Sequence, residues 1–453
     1  MLLIRRNLNL RVIIIGGVAA GMSAAAKLKR LQPDYEVVIY EKTDIISLGA
    51  CGLPYYAGGF FDDPNELIAR TPEEFRKSNI ELNIFHEVVG LDTIHKQITI
   101  KNLRTEELII DNYDKLMIAT GASCIFPPIE NLHLDNVTTL KSMSDGSKLR
   151  SILDDDNIKN IVIIGAGFIG IEAVEACKHK NKNITLIQLE DRILSNVFDE
   201  DITTLLEDEI RKHNVDLLLN ESVTRIEGIN RVSKVITNKR EINADAVIIA
   251  TGVKPNTEFL KYNSIDMLLN GAIIVDEYGR TNIKDIFSAG DCATIPNMIT
   301  KENTYVPLAT GANKLGRIVA ENLAGNNIPF QGSLASSCIK VMDMEAASTG
   351  LTETKAKALG IDYKSTFISD YNQTTYYPGR NKIYIKLIYD NSTKRILGGQ
   401  IAGFKDAVQR TNVIAAAILG NLTTSQLGML DLCYAPPFSR TWDVLNVAGN
   451  VSR

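Results

Sequence analysis

The sequence predicts an α/β protein with two Rossmann-like dinucleotide-binding domains and a C-terminal α+β region. Two observations predict this fold. A β-branched run, a glycine-rich turn and a helical segment occur in this order twice, once from Arg11 and once from Ile161. From about residue 330 the pattern changes. There, KIYIKLIYD is typical of an antiparallel strand, DAVQRTNVIAAAILG is typical of a helix, and no nucleotide-binding turn follows.

The first glycine-rich turn, GGVAAG, follows a strand and opens a helix, as a dinucleotide-binding motif requires. Gly16, Gly17 and Gly21 allow the backbone to approach a pyrophosphate at the helix N-terminus. Glu41 ends the next strand, where a carboxylate accepts from a ribose hydroxyl, unless it is only a solvated strand end. We predict an FAD site here. Its further predicted residues are Ala20, Lys42, Ala119, Thr120, Gly121 and Asp291.

Asp291 follows a predicted strand inside the segment DIFSAGDCAT. Alone, an aspartate after glycine is a common turn residue or N-cap. Beside two glycine-rich turns, it is expected to bind the ribityl or pyrophosphate region of the flavin.

The second turn, GAGFIG, predicts a site for a nicotinamide nucleotide in the same way. Its predicted cofactor-binding residues are Gly165, Gly167, Phe168, Ile169 and Gly170, together with Gly252 after a later strand.

The acidic residue of this second site stays open between two positions. Alignment of the strand ends gives Gln188, whereas counting from the turn gives Glu190, because Glu41 and Glu190 each follow the first glycine of their turn by 25 residues. We predict Glu190 as the binding residue. Only Arg192 follows, with no arginine pair to bind a 2′-phosphate, so NADH is favoured and NADPH is the alternative.

Cys51 lies in SLGACGLPYYAGG, about 35 residues after the first turn. Flavoprotein disulfide reductases of the glutathione reductase type use two cysteines spaced C-x4-C, but Ile46 and Tyr56 occupy the positions five before and five after Cys51. Without that partner, Cys51 is expected to cycle through a mixed disulfide with a small thiol or through a sulfenic acid. The sequence thus predicts a flavin, a nicotinamide nucleotide and one redox-active sulfur.

Composition excludes several other classes. The net charge of −5 gives no basic surface for nucleic acid or an anionic membrane, and no apolar stretch is long enough for a membrane span. The cysteines form no C-x2-C pair and the five histidines have no metal-ligand spacing, so no metal is expected. The protein is expected to be cytoplasmic. Buried packing is expected for the other cysteines, namely Cys124, Cys177, Cys292, Cys338 and Cys433.

The chain resembles the single-cysteine pyridine nucleotide-disulfide oxidoreductases, which include coenzyme A disulfide reductases, NADH oxidases, NADH peroxidases and persulfide reductases. The resemblance covers essentially the whole chain. It rests on GGVAAGMSAA, SLGACGLPY, RTPEEF, YDKLMIATGA, GAGFIGIE, ATGVKPNT, DIFSAGDCAT, VPLATGANKLGR, YYPG and YAPPFS. It implies a homodimer with shared active sites. The implied domains are FAD-binding over 1–125 and 253–328, NAD(P)H-binding over 126–252, and dimerisation over 329–453.

Two places favour coenzyme A disulfide reductases within this family. NADH peroxidases and water-forming NADH oxidases typically carry a histidine where this chain has Ala19. The motifs YYPG and YAPP resemble those of coenzyme A disulfide reductases, in which two tyrosines reach into the partner subunit's site. The matching residues, Tyr376 and Tyr434, are therefore expected to be catalytic, although a packed loop is the ordinary interpretation of a tyrosine beside prolines.

The resemblance also implies substrate contacts at Ser23, Lys27, Arg30, Ser47 and Asn313. Lys27 and Arg30 are expected to pair with coenzyme A phosphates, or else to form a solvated basic face of the first helix.

The sequence departs from some relatives at two of the places where coenzyme A would bind, because Asn313 replaces a histidine and Ala50 stands where asparagine is usual. Phe168 is expected to cover the flavin or to move aside for the nicotinamide. The resemblance alone implies these departures and this role of Phe168.

The resulting hypothesis is an FAD-dependent NAD(P)H oxidoreductase that reduces coenzyme A disulfide, or a related small disulfide or persulfide, through Cys51. The first alternative is an NADH oxidase that reduces oxygen through a Cys51 sulfenic acid. The alternative from another class is a redox-responsive flavoprotein that acts by binding a partner. Persulfide reductases often carry a C-terminal rhodanese domain, and none is predicted within residues 1–453.

Overall fold

The computed structural model describes residues 9–453 and divides them into two compact units. The predicted first domain begins at residue 1, and its residues 1–8 lie outside the described residues. The first unit comprises residues 9–52, Asp63–Ile125 and Val253–Ser333, and the second comprises Leu53–Asp62, Phe126–Gly252 and Leu334–Arg453. Strands and helices are numbered below in chain order.

The first unit contains one parallel sheet, smaller antiparallel sheets and three helices. Its strands are β1 (Arg11–Ile15), β2 (Glu36–Glu41), β3 (Ile80–Ile84), β4 (His86–Asp92), β5 (Gln97–Asn102), β6 (Leu108–Asn112), β7 (Lys115–Ile118), β8 (Ala122–Cys124), β17 (Val253–Pro255), β18 (Ile286–Ser288), β19 (Ile295–Pro296) and β20 (Asn303–Thr304). Its helices are α1 (Ala19–Leu31), α3 (Pro72–Arg76) and α7 (Ala309–Leu323).

The parallel sheet has the strand order β18-β7-β1-β2-β3. Its central strands are apolar and buried, with α1 packed against β1, β2 and β3, and α7 packed against β18. Ile15 pairs with Tyr40 in register, so β1 and β2 end side by side. This places the turn after β1 next to Glu41, the last residue of β2.

The second unit contains a parallel sheet, a three-stranded antiparallel sheet and a five-stranded antiparallel sheet. Its strands are β9 (Val137–Thr138), β10 (Asn160–Ile164), β11 (Asn183–Ile187), β12 (Asp216–Leu218), β13 (Val223–Gly228), β14 (Val232–Thr237), β15 (Glu241–Asn243), β16 (Ala246–Ile249), β21 (Ser337–Val341), β22 (Met344–Gly350), β23 (Tyr363–Tyr371), β24 (Lys382–Asp390) and β25 (Ile396–Gly403). Its helices are α2 (Leu53–Gly58), α4 (Met143–Asp154), α5 (Phe168–His179), α6 (Glu200–Lys212), α8 (Glu353–Ala358), α9 (Ala407–Leu419), α10 (Thr424–Gly428) and α11 (Val444–Val451).

The parallel sheet of this unit has the order β12-β11-β10-β16-β9. The three-stranded antiparallel sheet has the order β13-β14-β15, and the five-stranded one has the order β21-β22-β25-β24-β23. Helix α9 packs on β22 and β25, whereas α11 packs on β23 and β24. The predicted fold class, with two Rossmann-type sheets and a C-terminal α+β part, is confirmed. None of the helices within residues 9–453 has the length and apolar character that crossing a bilayer requires.

A buried charged network joins two distant segments inside the second unit. The Asp199 carboxylate, just before α6, accepts hydrogen bonds from the backbone amides of Glu353 (2.8 Å) and Thr354 (3.0 Å) at the start of α8. Lys386 of β24 pairs with Glu353 at 2.6 Å and with Asp201. Burial disfavours the charged form of Asp199, but the two amides, the Gln400 side chain and the charge of Lys386 together outweigh it and hold the pKa of Asp199 below its ordinary value.

Candidate functional site

The first glycine-rich turn has a backbone that only glycine accommodates. Gly16 has a φ of +108°, and a Cβ atom there would lie 2.2 Å from the Ala119 carbonyl oxygen. At Gly21 a Cβ atom would lie 2.0 Å from the Gly16 carbonyl oxygen. The turn therefore brings the backbone after β1 against the end of β7 and against the first turn of α1.

Glu41 holds this turn from the neighbouring strand. Its carboxylate is buried and accepts hydrogen bonds from the backbone amide of Gly17 (2.7 Å), and from the amide and the hydroxyl of Thr43 (both 2.8 Å). The structure thus gives Glu41 a place at the turn, and its contact with a ribose stays a prediction.

The residues around this turn fit a dinucleotide such as FAD. Within the described residues, α1 has no side-chain N-cap and no acidic residue in its first turn, so its amides remain for an anionic group. Gly121, in the turn after β7, has a φ of +67° and no described atom within 4 Å of a Cβ position. The remaining predicted residues are the buried Ala20, the exposed Lys42, Ala119 and Thr120 after β7, and Asp291 after β18.

The second turn repeats the geometry of the first one. Gly165 has a φ of +101°, with a Cβ position 2.5 Å from the Ala250 carbonyl oxygen, and a Cβ atom at Gly170 would lie 1.9 Å from the Gly165 carbonyl oxygen. At Gly167, by contrast, no described atom lies within 4 Å of the Cβ position. The space beside Gly167 is where the pyrophosphate of a nucleotide is expected. The other predicted residues are Phe168 and Ile169, which begin α5, and Gly252 after β16.

The strand register settles which residue is the structural counterpart of Glu41. Ile164 pairs with Ile187, so Gln188 takes the place at the end of β11, and its Oε1 accepts from the Ala166 amide at 2.8 Å. Counting from the turn therefore gave the wrong counterpart. Glu190 lies two residues further and accepts from Gln188 Nε2 at 3.2 Å, and its binding to a nucleotide stays a prediction.

We predict that two alanine substitutions in this turn affect different properties, one the binding of NADH and the other the stability of the fold. Gly167→Ala is expected to raise KM for NADH about tenfold, or about 1.4 kcal/mol, because its methyl group would enter the expected pyrophosphate space. Its free energy of unfolding should stay within about 1 kcal/mol of the parent value. Gly170→Ala should instead destabilise the fold, because its methyl group meets backbone. Steady-state kinetics and urea unfolding check both, and an unchanged KM in Gly167→Ala would contradict the assignment.

Cys51 is exposed and lies in a 3₁₀ turn, Ala50–Gly52, whose loop is attached on two sides. The backbone amide of Ser47 donates to the Gly17 carbonyl oxygen at 2.8 Å, which ties the loop to the first glycine-rich turn. The amide of Gly49 donates to the Leu67 carbonyl oxygen at 2.7 Å on the other side. These bonds fix the cysteine loop relative to the predicted flavin-binding turn.

The prediction that the other cysteines are buried is correct for two of them and wrong for the rest. Cys177 and Cys292 are buried, and burial raises the pKa of Cys177 to about 12. Cys124 is half-buried, whereas Cys338 and Cys433 are exposed. Cys338 lies in β21 on the face opposite to the buried Ile339, and the sequence does not reveal which face of that strand is covered.

Tyr376 and Tyr434 are brought together by two separate loops. Tyr376 follows β23 and Tyr434 precedes α11, and their hydroxyl oxygens lie 3.1 Å apart. Both side chains are exposed in the single chain. The hydrogen bond with Tyr434 raises the pKa of Tyr376. The pair can therefore act as one hydroxyl relay at the surface of the second unit.

The predicted substrate residues on α1 and α7 also meet. Ser23 Oγ donates to Asn313 Oδ1 at 2.5 Å, and Lys27 pairs with Glu321 of α7 at 2.5 Å. Arg30 is exposed on the same helix. The structure therefore gives Lys27 an acidic partner that the sequence did not suggest. Contact of the predicted substrate residues with coenzyme A stays a prediction.

Sequence reasoning missed one carboxyl group on the second nucleotide-binding helix. Glu172 lies one helical turn after Phe168, and burial together with the charge of Glu175 raises the pKa of Glu172 to about 7. Glu175 pairs with Lys340, and its other oxygen is buried without a hydrogen-bond partner among residues 9–453. Two acidic residues in the otherwise apolar segment FIGIEAVEACKH were the available signal.

One group of side chains in the described chain brings three metal-ligating atoms together. His213 Nε2 lies 3.0 Å from Glu209 Oε1 and 3.2 Å from Asp343 Oδ2. Lys212 also contacts Glu209, at 3.4 Å. Lys212 forms an ion pair with the Glu209 carboxylate beside His213, and we assign no metal to this group.

The chain is similar to a known protein family over most of its length. It matches the family model of the pyridine nucleotide-disulphide oxidoreductases over residues 10–315 and the dimerisation domain of that family over residues 336–444. It is 39% identical to the NAD(P)H coenzyme A polysulfide/persulfide reductase of Pyrococcus horikoshii, over 98% of this chain and 99% of that protein.

Two further proteins are similar over nearly their whole length. The coenzyme A disulfide reductase of Staphylococcus aureus is 30% identical over 97% of this chain and 99% of that protein. The structure of the water-forming NADH oxidase from Lactobacillus brevis bound to NADH has a TM-score of 0.93 and 33% identity, with 97% of each chain covered. The chain therefore belongs to the pyridine nucleotide-disulphide oxidoreductases, a family of enzymes that depend on FAD and NAD(P)H.

Proposed function

We propose that this enzyme uses NADH to reduce coenzyme A disulfide, or a related small disulfide or persulfide, through Cys51. The observation that carries the proposal is the cysteine loop. Cys51 is exposed, its loop is hydrogen-bonded to the first glycine-rich turn, and no second cysteine stands at the C-x4-C spacing. The named activities of the relatives in Pyrococcus horikoshii and Staphylococcus aureus support the same substrate class.

Cys51 is proposed to act as the attacking sulfur. Its thiolate attacks one sulfur of the disulfide, forms a Cys51 mixed disulfide and releases the first thiolate. FAD, when bound, supplies the two-electron chemistry that allows NADH to reduce this mixed disulfide. Reduction releases the second thiol and returns Cys51 as the thiolate, so one NADH and one proton yield two thiols for each disulfide.

Tyr376 and Tyr434 are proposed to supply a proton to the departing thiolate. Their hydroxyl groups already share a hydrogen bond, so a proton that leaves one hydroxyl is replaced from the other. We propose that they act in the partner subunit of a homodimer, which the match to the dimerisation domain supports. A site of this kind suits the cytoplasm, where free thiols persist.

NADH is expected to be the preferred nucleotide, with kcat/KM at least about tenfold above that for NADPH. Glu190 would place a carboxylate near a 2′-phosphate, and Arg192 lies 3.6 Å from Asp191, which offsets its charge. Glu190→Gln should raise kcat/KM for NADPH and leave kcat/KM for NADH unchanged, so the preference for NADH should become smaller. Parallel kinetics with both nucleotides check this, and equal kcat/KM values in the parent protein would contradict it.

The rival function is an NADH oxidase, which the similarity to the Lactobacillus brevis enzyme supports. One assay separates the two: NADH consumption without oxygen, in the presence of coenzyme A disulfide, polysulfide or neither, compared with consumption in air. Turnover that depends on coenzyme A disulfide in the absence of oxygen is expected. Consumption in air alone would replace the proposed function with the oxidase.

A further inference from the structure

Arg410, on the first turn of α9, connects the two loops that carry Tyr376 and Tyr434. Its side chain is only 11% exposed. One guanidinium nitrogen, Nη2, donates to the carbonyl oxygen of Asn372 at 3.0 Å and to that of Phe438 at 3.0 Å. Asn372 precedes Tyr376 by four residues, and Phe438 follows Tyr434 by four. One cation therefore joins both loops at the same distance along the chain from each tyrosine.

The guanidinium is itself held in a fixed orientation. Its Nε and Nη2 both donate to Asp443 Oδ2, at 3.0 and 2.8 Å, and Nε also lies 3.3 Å from Oδ1. Asp443 in turn accepts from Ser439 Oγ at 2.8 Å and from the Leu445 amide at 2.9 Å. The paired contact fixes the plane of the guanidinium, so the direction of the two carbonyl contacts is fixed as well. A lysine ammonium has no planar fork and cannot reproduce this set of bonds.

The loop that carries Tyr376 is also closed by hydrogen bonds between its two ends. The amide of Asn372 donates to the Asn381 carbonyl oxygen at 3.0 Å, and the amide of Asn381 donates to Asn372 Oδ1 at 2.8 Å. Thr374 Oγ1 donates to the Pro436 carbonyl oxygen at 3.2 Å, which adds a second bond between the loops. The two loops that carry the tyrosines are therefore joined by hydrogen bonds from Arg410 and from Thr374 to main-chain carbonyl oxygens.

We infer that Arg410 is a positioning residue for the tyrosine pair, because it holds the two loops at the separation that brings the hydroxyls to 3.1 Å. The residue does not touch the substrate in this scheme and acts through Tyr376 and Tyr434. This inference rests on the proposed function, in which the pair protonates the leaving thiolate.

The test is a double-mutant cycle between Arg410→Lys and the double substitution Tyr376→Phe and Tyr434→Phe, in the full-length protein with its flavin. Arg410→Lys in the parent background should lower kcat with coenzyme A disulfide by about 10–100-fold, since a displacement near 1 Å of a reacting group can cost about 100-fold. In the double phenylalanine background the same substitution should cost less than about twofold, because no hydroxyl pair remains to be displaced. KM for NADH should be unchanged in all four proteins.

Arg440→Lys is the matched control. Arg440 lies in the loop that carries Tyr434 and pairs with Asp370 of β23, but the Arg440 side chain is 44% exposed. It should leave kcat within about twofold of the parent value. The melting temperature of each protein shows whether Arg410→Lys lowers stability. A loss of kcat that follows from lowered stability would be the same in the parent and double phenylalanine backgrounds, whereas the expected loss occurs in the parent background alone.

Two results would overturn the inference while leaving the proposed function intact. One is an unchanged kcat in Arg410→Lys, and the other is an equal loss in the parent and double phenylalanine backgrounds, which would assign Arg410 to fold stability alone. If Arg410→Lys does not fold, Arg410→Gln, which keeps a planar donor without the charge, takes its place in the same cycle. A parent protein with no activity on any disulfide would instead overturn the proposed function.

Discussion

Replacing Cys51 with serine is expected to lower kcat with coenzyme A disulfide by at least about 10⁴-fold, because a hydroxyl cannot form the mixed disulfide. Flavin content and the reduction of bound flavin by NADH should be retained, since neither requires this sulfur in the proposed scheme. Steady-state assays give the first result, and anaerobic absorption spectra give the second.

Cys338→Ser and Cys433→Ser are suitable controls, because these two thiols are also exposed. Both should keep kcat within about twofold of the parent value, as is usual for surface substitutions. Substantial disulfide turnover by Cys51→Ser would show that another thiol, or no thiol, receives the electrons. A large loss in either control would transfer the redox role to that cysteine.

Removing both hydroxyls of the tyrosine pair is expected to lower kcat by about 10²–10⁴-fold, the usual range for a lost proton donor. Tyr376→Phe and Tyr434→Phe together delete only two oxygen atoms from exposed side chains, so folding should survive. Flavin reduction by NADH should proceed at the parent rate. Tyr377→Phe, on the adjacent exposed side chain, is the control and should leave kcat unchanged.

Subunit exchange tests whether the pair acts in the partner subunit. If Cys51→Ser protein is mixed with the double phenylalanine protein, each heterodimer contains one site with both lesions and one site with neither. Random exchange makes about half of the dimers heterodimers, so about a quarter of the parent activity should return. No recovery after proven exchange would mean that the tyrosines serve the cysteine of their own chain.

Much of the fold was predictable from local patterns. The turns GGVAAG and GAGFIG are constrained residue by residue, since Gly16, Gly21, Gly165 and Gly170 have no room for a side chain. Glycine is required at these positions for a steric reason, so the motif predicts the turn directly. Both turns lie where they were predicted. The change to an antiparallel sheet after residue 330 was also visible, because KIYIKLIYD is rich in the β-branched and aromatic residues that favour strands.

Counting across a helix was less informative. In the first βαβ segment, α1 and the connection to β2 occupy residues 19–35, whereas α5 and the connection to β11 occupy residues 168–182, two residues fewer. The same count from the turn therefore ends at Glu41 in one case and two residues beyond Gln188 in the other. One residue of this difference lies in the helix and one in the connection, and the sequence of the turn encodes neither length.

Contacts between distant residues were the least predictable part. Tyr376 and Tyr434 are 58 positions apart, and only the resemblance to a family suggested that they act together. Arg410 gave no signal at all, because it bonds to two carbonyl oxygens, which carry no side-chain identity. The acidic partner of Lys27 was missed because the two residues are distant in sequence. Glu321 becomes a neighbour of Lys27 only when α1 and α7 pack.

Asp199 has a consequence for the autonomy of the C-terminal domain. The first backbone amides of α8 are satisfied by a carboxylate that lies more than 150 positions earlier in the chain. A fragment that begins near residue 329 would leave these amides and the buried ammonium of Lys386 without Asp199 and Asp201, at a cost of about 1–3 kcal/mol for an unmet bond to a charged group. We therefore expect such a fragment to be less stable than the same residues are within the whole chain.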